Sequence, residues 1–279
     1  MANGGESRND NNPGDEMGDC IVERDGGVMV IRFNRPDRMN SLGGTLLEEL
    51  NAALDEGRTD DRVRAFIVTG EGRGWCAGAD LQAQGSARPN ENSKRWNALD
   101  PIGQVGRTIM NIHNCDKPII AAVNGVAVGG GFGFCSAMDV RIASEQARFS
   151  TVFIKRALAP DCGLSYFLPR LVGPERAAEL FYSGRMVDAN EALALGIVSK
   201  VVAHEGLMNA AMEFAAGIAK APPSAMTFTR RALKHSLSAT LADQLEFEWV
   251  NQKACLASPE FREGVQAFLE KREPDFSGF

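Results

Sequence analysis

The sequence predicts an α/β body followed by an all-helical extension, and three observations carry this reading. Short apolar runs with strand character alternate with helical patterns as far as Val202. From Glu205 onward every segment has helical periodicity, over roughly 205–219, 223–236, 240–257 and 260–271. Two glycine-rich turns, Gly74-Trp75-Cys76-Ala77-Gly78-Ala79-Asp80 and Val123-Asn124-Gly125-Val126-Ala127-Val128-Gly129-Gly130-Gly131-Phe132-Gly133, each follow a strand-like run, at 65–69 and 118–123.

Taken in order, 20–24 and 28–33 read as a hairpin around Asp25-Gly26-Gly27. Asn34-Arg35-Pro36-Asp37 ends the second strand, and Ser41 or Thr45 caps a helix through about Gly57 with Leu46, Leu47, Leu50 and Leu54 on one face. The strand at 65–69 leads into the first glycine turn, and the polar stretch 82–97 reads as a mobile loop. A helix over about 101–115 stops before Lys117-Pro118, the second strand and glycine turn follow, and a buried helix spans 131–138. Strands are expected at 139–143, 147–153 and 197–202. Helices are expected from Gly163 toward Leu171, from Pro174 (a favourable first helical position), and over 188–195.

With 279 residues the chain holds one large domain or two modest ones. Hydrophobic content of 44% and charged content of 24% are those of a globular protein. A net charge of −6 argues against a general nucleic-acid or membrane-surface binder. The six cysteines form no CxxC pair and no Cys/His ligand spacing, so neither a metal site nor a disulfide framework is expected, and a reducing, cytoplasmic compartment suits them. None of His113, His204 and His235 stands beside a GxSxG elbow, and His113 reads as a helix C-terminal residue facing water. Residues 1–19 are expected to be a disordered tail without signal-peptide character, and no apolar run approaches the roughly 20 residues that span a membrane.

Backbone without side chains lets a ligand approach its N–H groups, and two N–H groups converging on one point polarise a carbonyl oxygen. Glycines equally mark tight turns and close helix–sheet packing. A third reading is that Gly72-Arg73-Gly74-Trp75-Cys76-Ala77 fits GxGxxA, a dinucleotide-binding pattern, although Asp80 interrupts the helix that pattern requires.

Three strings, Asn34-Arg35-Pro36-Asp37-Arg38-Met39-Asn40-Ser41-Leu42, Trp75-Cys76-Ala77-Gly78-Ala79-Asp80-Leu81 and Pro118-Ile119-Ile120-Ala121-Ala122-Val123-Asn124-Gly125 with its following glycines, resemble the crotonase family of enoyl-CoA hydratases and isomerases. The resemblance runs from about residue 20 to 279. It implies a spiral of ββα units over 20–203 and a C-terminal helical region, 204–279, that forms trimers or dimers of trimers. It also implies an acyl-CoA thioester as substrate, with no cofactor beyond the coenzyme A that substrate carries. The thioester oxygen would sit between the N–H groups of Ala79 and Gly130.

The two glutamates that hydratases of the family use fall here at Gly133 and Phe153, neither able to move a proton. A carboxylate appears at Asp161, where Δ3,Δ2-enoyl-CoA isomerases of the family keep a single acid and dienoyl-CoA isomerases an aspartate that works with further acids at the positions of Gly133 and Phe153; Pro160-Asp161-Cys162-Gly163 together with 261–272 is similar to the ring-epoxide isomerase of phenylacetate degradation. The resemblance therefore implies an acyl-CoA double-bond isomerase with Asp161 as proton shuttle. Beside Phe153 and Leu158 that carboxyl is expected to have a raised pKa; its plainer role is to cap the following helix. For coenzyme A the resemblance points to Arg35, Arg38, the backbone of 77–79 with Asp80, and Phe268 and Lys271 from a neighbouring subunit. Trp75, Trp96, Phe132, Phe153 and Tyr166 are candidates for an acyl pocket, Phe153 foremost and Phe132 more simply core. The rivals are a hydratase holding water by other groups, a β-diketone or ring C–C hydrolase using Asp161 and Tyr166, and a CoA-binding oligomer without chemistry.

Overall fold

The computed structural model describes residues 18–80 and 99–279. Most of the expected tail, the 82–97 stretch and Trp96 lie outside the described residues. Asp19, assigned to the tail by sequence, is tied down, because its carboxylate accepts the Thr45 N–H at 2.8 Å. That contact caps the helix Thr45 introduces, in place of the Thr45 hydroxyl.

The hairpin forms as expected, β1 (Cys20–Asp25) pairing antiparallel with β2 (Val28–Phe33) around a left-handed Gly26. Helix α1 (Leu46–Thr59) buries Leu46, Leu47, Leu50 and Leu54. Next come β3 (Ala65–Gly70), β4 (Gly74–Cys76), α2 (Gly103–Asn114), β5 (Ile119–Val123), β6 (Val126–Val128), α3 (Gly130–Ala137), β7 (Val140–Ser144) and β8 (Arg148–Ser150). From β3 to β8 the strands alternate between two sheets. One runs β1-β2-β3-β5-β7-β10 and the other β4-β6-β8-β9, with β10 (Lys200–Val202) and β9 (Val187–Asp188) at their edges. Each passage of chain therefore lays one strand in each sheet and returns through a helix, which is the ββα spiral.

Side chains alternate across the larger sheet with period two. Val28, Val30, Ala65, Ile67, Ile120 and Ala122 face α7 (Leu207–Ala219), which meets them with Leu207, Ala211 and Ala215 spaced four apart. Met29, Ile31, Phe66, Val68, Ile119 and Ala121 face the opposite way into the principal core.

The expected strand over 147–153 stops at Ser150. Val152 adopts a φ of +33°, and Phe153–Arg156 then form a short 3-10 turn. The chain continues through α4 (Leu164–Val172), α5 (Pro174–Ser183) and α6 (Ala189–Leu195), the last capped by the Asp188 carboxylate accepting from Glu191 N.

The remaining helices are α8 (Pro223–His235), α9 (Leu241–Ala257) and α10 (Pro259–Glu270). Arg230 on α8 is 4% exposed and fastens this region to the core. It donates to Asp139 Oδ2 at 2.7 Å and to the carbonyls of Ile112 and His113. His113 is accordingly half-buried against Phe167 rather than facing water, and burial with nearby Lys234 and Arg230 lowers its pKa. Helix α9 buries none of its residues in this chain, and Leu245, Trp249 and Val250 stand exposed along it. No helix among the described residues is long and apolar enough to cross a membrane.

Candidate active site

Two buried asparagines build the platform on which the first glycine turn stands. Asn40 donates to the carbonyls of Glu71 and Gly74 and accepts from Arg35 N. Asn124 donates to Gly72 and Gly74 carbonyls and accepts from Gly70 N. The segment between β3 and β4 is thus held by side-chain amides that satisfy its backbone.

Beyond β4, Leu42 N donates to Gly78 O at 2.7 Å and Asp80 N to Leu42 O at 3.1 Å. Bonding directions alternate along such a bridge, so Ala79 turns its own N–H away from Leu42. On that other side lies the second turn. A Cβ placed on Gly78 would lie 2.8 Å from Val128 O and 3.3 Å from Gly130 N, so only glycine, here at φ +81°, allows the two turns to meet. Gly130 is the first residue of α3, where an N–H has no partner within the helix and the helix dipole is positive. Neither Ala79 N nor Gly130 N donates to an acceptor among the described residues.

Both residues line a cavity of about 420 Å³, together with Leu42, Ala77, Val152, Phe153, Leu158, Asp161 and Cys162. Its polar side chains are Glu48, Gln104, Arg156 and Asp161, and Gln104 donates to Glu48 at 2.5 Å. Cys162 is buried, and burial together with the adjacent Asp161 carboxylate pushes its thiol pKa up, which keeps it neutral. Residues 23–278 match the family model described as enoyl-CoA hydratase/isomerase.

The chain belongs to that family. It is similar to the 1,2-epoxyphenylacetyl-CoA isomerase of Escherichia coli, 35% identical over 260 residues that cover 90% of this chain and 95% of that one. It is also similar to the short-chain-enoyl-CoA hydratase of Clostridium acetobutylicum, 33% identical over 92% of this chain and 97% of its relative. Among solved structures, the enoyl-CoA hydratase of Bacillus anthracis superposes with a TM-score of 0.87 at 34% identity, covering 94% of this chain and all of that one. This crotonase-family membership, with the ββα spiral, disposes of the dinucleotide reading: Gly72 to Ala77 passes through strand β4, not into a helix.

The other residues singled out by sequence divide. Ala77, Ala79, Gly130, Phe153 and Asp161 line one cavity. Asp161 is exposed to solvent where it meets that cavity. Arg35 and Asp80 turn out to be partners, Arg35 Nη2 donating to Asp80 Oδ2 at 3.0 Å while Nη1 donates to Ser41 O at 2.6 Å. Arg35 therefore clamps the first glycine turn from behind, outside the cavity wall. Arg38 is exposed beside Asp37.

Trp75 is fully buried, its indole N–H donating to Val68 O, and Phe132 packs on Phe149; both are core. Tyr166 lies off the cavity wall under the Arg170 guanidinium, 3.6 Å from the ring centre. Phe268, 82% exposed, and Lys271 stand at the end of α10, away from this chain's cavity. Sequence reading missed the polar cavity residues Gln104, Arg156 and, the one that bears a second carboxylate, Glu48. It sits on the first turn of α1 next to Leu47, and amphipathicity places it on the helix surface without telling what that surface lines.

Proposed function

We propose that the chain is an acyl-CoA double-bond isomerase with Asp161 as its proton shuttle. The observation that carries the reading is the composition of one cavity wall: two backbone N–H groups without an acceptor among the described residues and the Asp161 carboxylate, with Gly133 and Phe153 at the positions of the family's hydratase glutamates. The thioester oxygen accepts from Ala79 N–H and Gly130 N–H, which acidifies the carbon next to the carbonyl. Asp161 removes a proton from that α-carbon, and the electron pair moves into an enolate conjugated with the 3,4 double bond. The same carboxyl returns the proton to the γ-carbon, leaving the double bond at 2,3. One acid suffices because the proton removed and the proton returned are handled by one group. Each oxyanion donor is worth about 10²–10³ in rate.

Coenzyme A, part of the substrate, runs past the Ala77 backbone toward Arg38, while Arg35 and Asp80 hold the turn that receives it. Phe268 and Lys271 serve the site of a neighbouring subunit in a trimer or dimer of trimers, which the unburied α9 supports. Bound substrate and that neighbour enclose Asp161 and give its carboxyl the dry setting a base needs.

Glu48 favours a second reading, hydration, since it is the other carboxylate on the cavity wall among the described residues. Asp161→Asn and Glu48→Gln separate the two. The isomerase reading expects Asp161→Asn to lose 3-hexenoyl-CoA turnover while saturated hexanoyl-CoA still binds, and Glu48→Gln to stay within a few-fold of wild type. Turnover surviving in Asp161→Asn would sink it.

A further inference from the structure

Leu42 and Ala79 form a single parallel bridge, and the residues flanking it on both strands end on one side chain. Arg35 Nη1 donates at 2.6 Å to the carbonyl of Ser41, the residue before Leu42. Arg35 Nη2 donates at 3.0 Å to the carboxylate of Asp80, the residue after Ala79. The bridge itself consists of Leu42 N to Gly78 O and Asp80 N to Leu42 O, so the guanidinium closes a bracket around the residue whose N–H faces the second glycine turn. The Arg35 and Asp80 side chains are 14% and 7% exposed. A charge-assisted fork so far from water keeps its geometry, and a lysine ammonium does not reproduce it.

Arg35 is itself fixed. Its N–H donates to Asn40 Oδ1 at 2.8 Å, its carbonyl accepts from Asn40 N at 2.9 Å and from Arg38 N at 3.0 Å, and Asp19 Oδ1 lies 3.6 Å from Nε. The pair lies one layer behind the cavity. Gly43 lines that wall, and a Cβ built on it would lie 2.9 Å from Arg35 Nη1 and 3.0 Å from Asp80 Cβ. Arg35 thus reaches protein acceptors with both Nη atoms and does not line the cavity.

The geometry points to Arg35 as a positioning residue for the oxyanion donor. Stapled to Ser41 and Asp80 at once, it sets where the Ala79 N–H aims and thereby how well that donor meets the enolate oxygen. The inference rests on the isomerase reading, which names the donor, and it gives Arg35 a task other than holding coenzyme A. The bridge to Leu42 survives without the staple, so losing Arg35 loosens the donor rather than removing it. The expected loss of kcat is about 10-fold to 10²-fold, below the 10²–10³ of a donor removed outright.

The test compares wild type, Arg35→Met and Arg35→Met with Asp80→Asn on 3-hexenoyl-CoA and on 3-hexenoyl-pantetheine, which has the same thioester and no phosphate. Binding of saturated hexanoyl-CoA and the urea midpoint are read on each. Arg35→Met is expected to lose the same factor of turnover on both thioesters, with the hexanoyl-CoA Kd within about threefold of wild type. Its urea midpoint falls because the Asp80 carboxylate is left buried without its cation. The double variant removes that charge and is expected to regain the midpoint without regaining kcat.

A loss confined to the coenzyme A thioester, with Kd raised, would make Arg35 a phosphate ligand and overturn the inference. Recovery of kcat together with the midpoint in the double variant, or wild-type kcat in Arg35→Met, overturns it as well. If Arg35→Met does not fold, Arg35→Lys decides in its place, since it keeps a cation for Asp80 but not the fork that also reaches Ser41; the same loss on both thioesters is expected, and wild-type kcat overturns the inference. Turnover retained in Asp161→Asn overturns the isomerase reading instead, whatever the Arg35 variants do.

Discussion

Gly78→Ala probes the seam between the two glycine turns without touching any reacting side chain. The added methyl would start 2.8 Å from Val128 O and 3.3 Å from Gly130 N. To bring the carbonyl out to ordinary contact at 3.4 Å, the turns must part by about 0.6 Å. The residue must also hold a φ of +81°, which for alanine costs about 1–2 kcal/mol.

Parting the turns widens the gap between Ala79 N–H and Gly130 N–H, so the thioester oxygen keeps one good donor instead of two. Loss of one such donor costs about 2.7–4 kcal/mol of transition-state stabilisation, or 10²–10³ in rate. We expect kcat/KM for 3-hexenoyl-CoA to fall about 10²-fold, and the urea midpoint to fall by the backbone cost alone. Steady-state kinetics and urea unfolding on the same preparation read both quantities. A variant destabilised as expected but with kcat/KM within threefold of wild type would refute the assignment of these two N–H groups as the oxyanion site.

Three further outcomes follow from the packing. Arg230→Ala removes the donor to the Ile112 and His113 carbonyls and the partner of the exposed Asp139 carboxylate, and is expected to lower stability by about 1–3 kcal/mol in urea unfolding. Lys234 is pushed down from 10.5 to about 8, first by burial and then by the Arg230 guanidinium, so between those values the unfolded chain binds more protons. The stability of wild type relative to Lys234→Met should therefore rise as pH climbs from 8 to 10.5 and stay flat below 8, by thermal unfolding. Leu245→Glu with Trp249→Glu places charge on the exposed apolar side of α9 and is expected to shift sedimentation from oligomer to monomer; unchanged sedimentation would remove α9 from the interface.

Periodicity made the fold legible, because alternation and four-residue spacing are local signals. The strands at 28–33 and 65–69, the Leu46 to Leu54 face of α1 and the four C-terminal helices all stand where the pattern put them. The strand expected over 147–153 failed for a reason periodicity does not encode: Val152, a β-branched residue, is forced left-handed and turns Phe153 into the cavity.

At the site, the glycine turns announced themselves by composition and Asp161 by its place in a motif. Partners distant in sequence did not. The resemblance marked Arg35 as a coenzyme A candidate, and nothing local reveals that Asp80, far along the chain, takes its guanidinium. Glu48 carries no sequence signal, because only the assembled spiral shows that Gln104 and the cavity lie opposite it. Trp75 read as a pocket aromatic because the carbonyl that receives its indole N–H, on Val68, becomes its neighbour only after β3 and β4 separate into two sheets.

The measurement that bears most directly on the central claim is product identity from 3-hexenoyl-CoA and from 2-hexenoyl-CoA, resolved by chromatography and mass. The account predicts that the 3-enoyl thioester becomes the 2-enoyl isomer at unchanged mass, and that the 2-enoyl thioester gains water far more slowly or not at all. Hydration of 2-hexenoyl-CoA at a rate matching or exceeding isomerisation would contradict it and move the proton chemistry to a second acid.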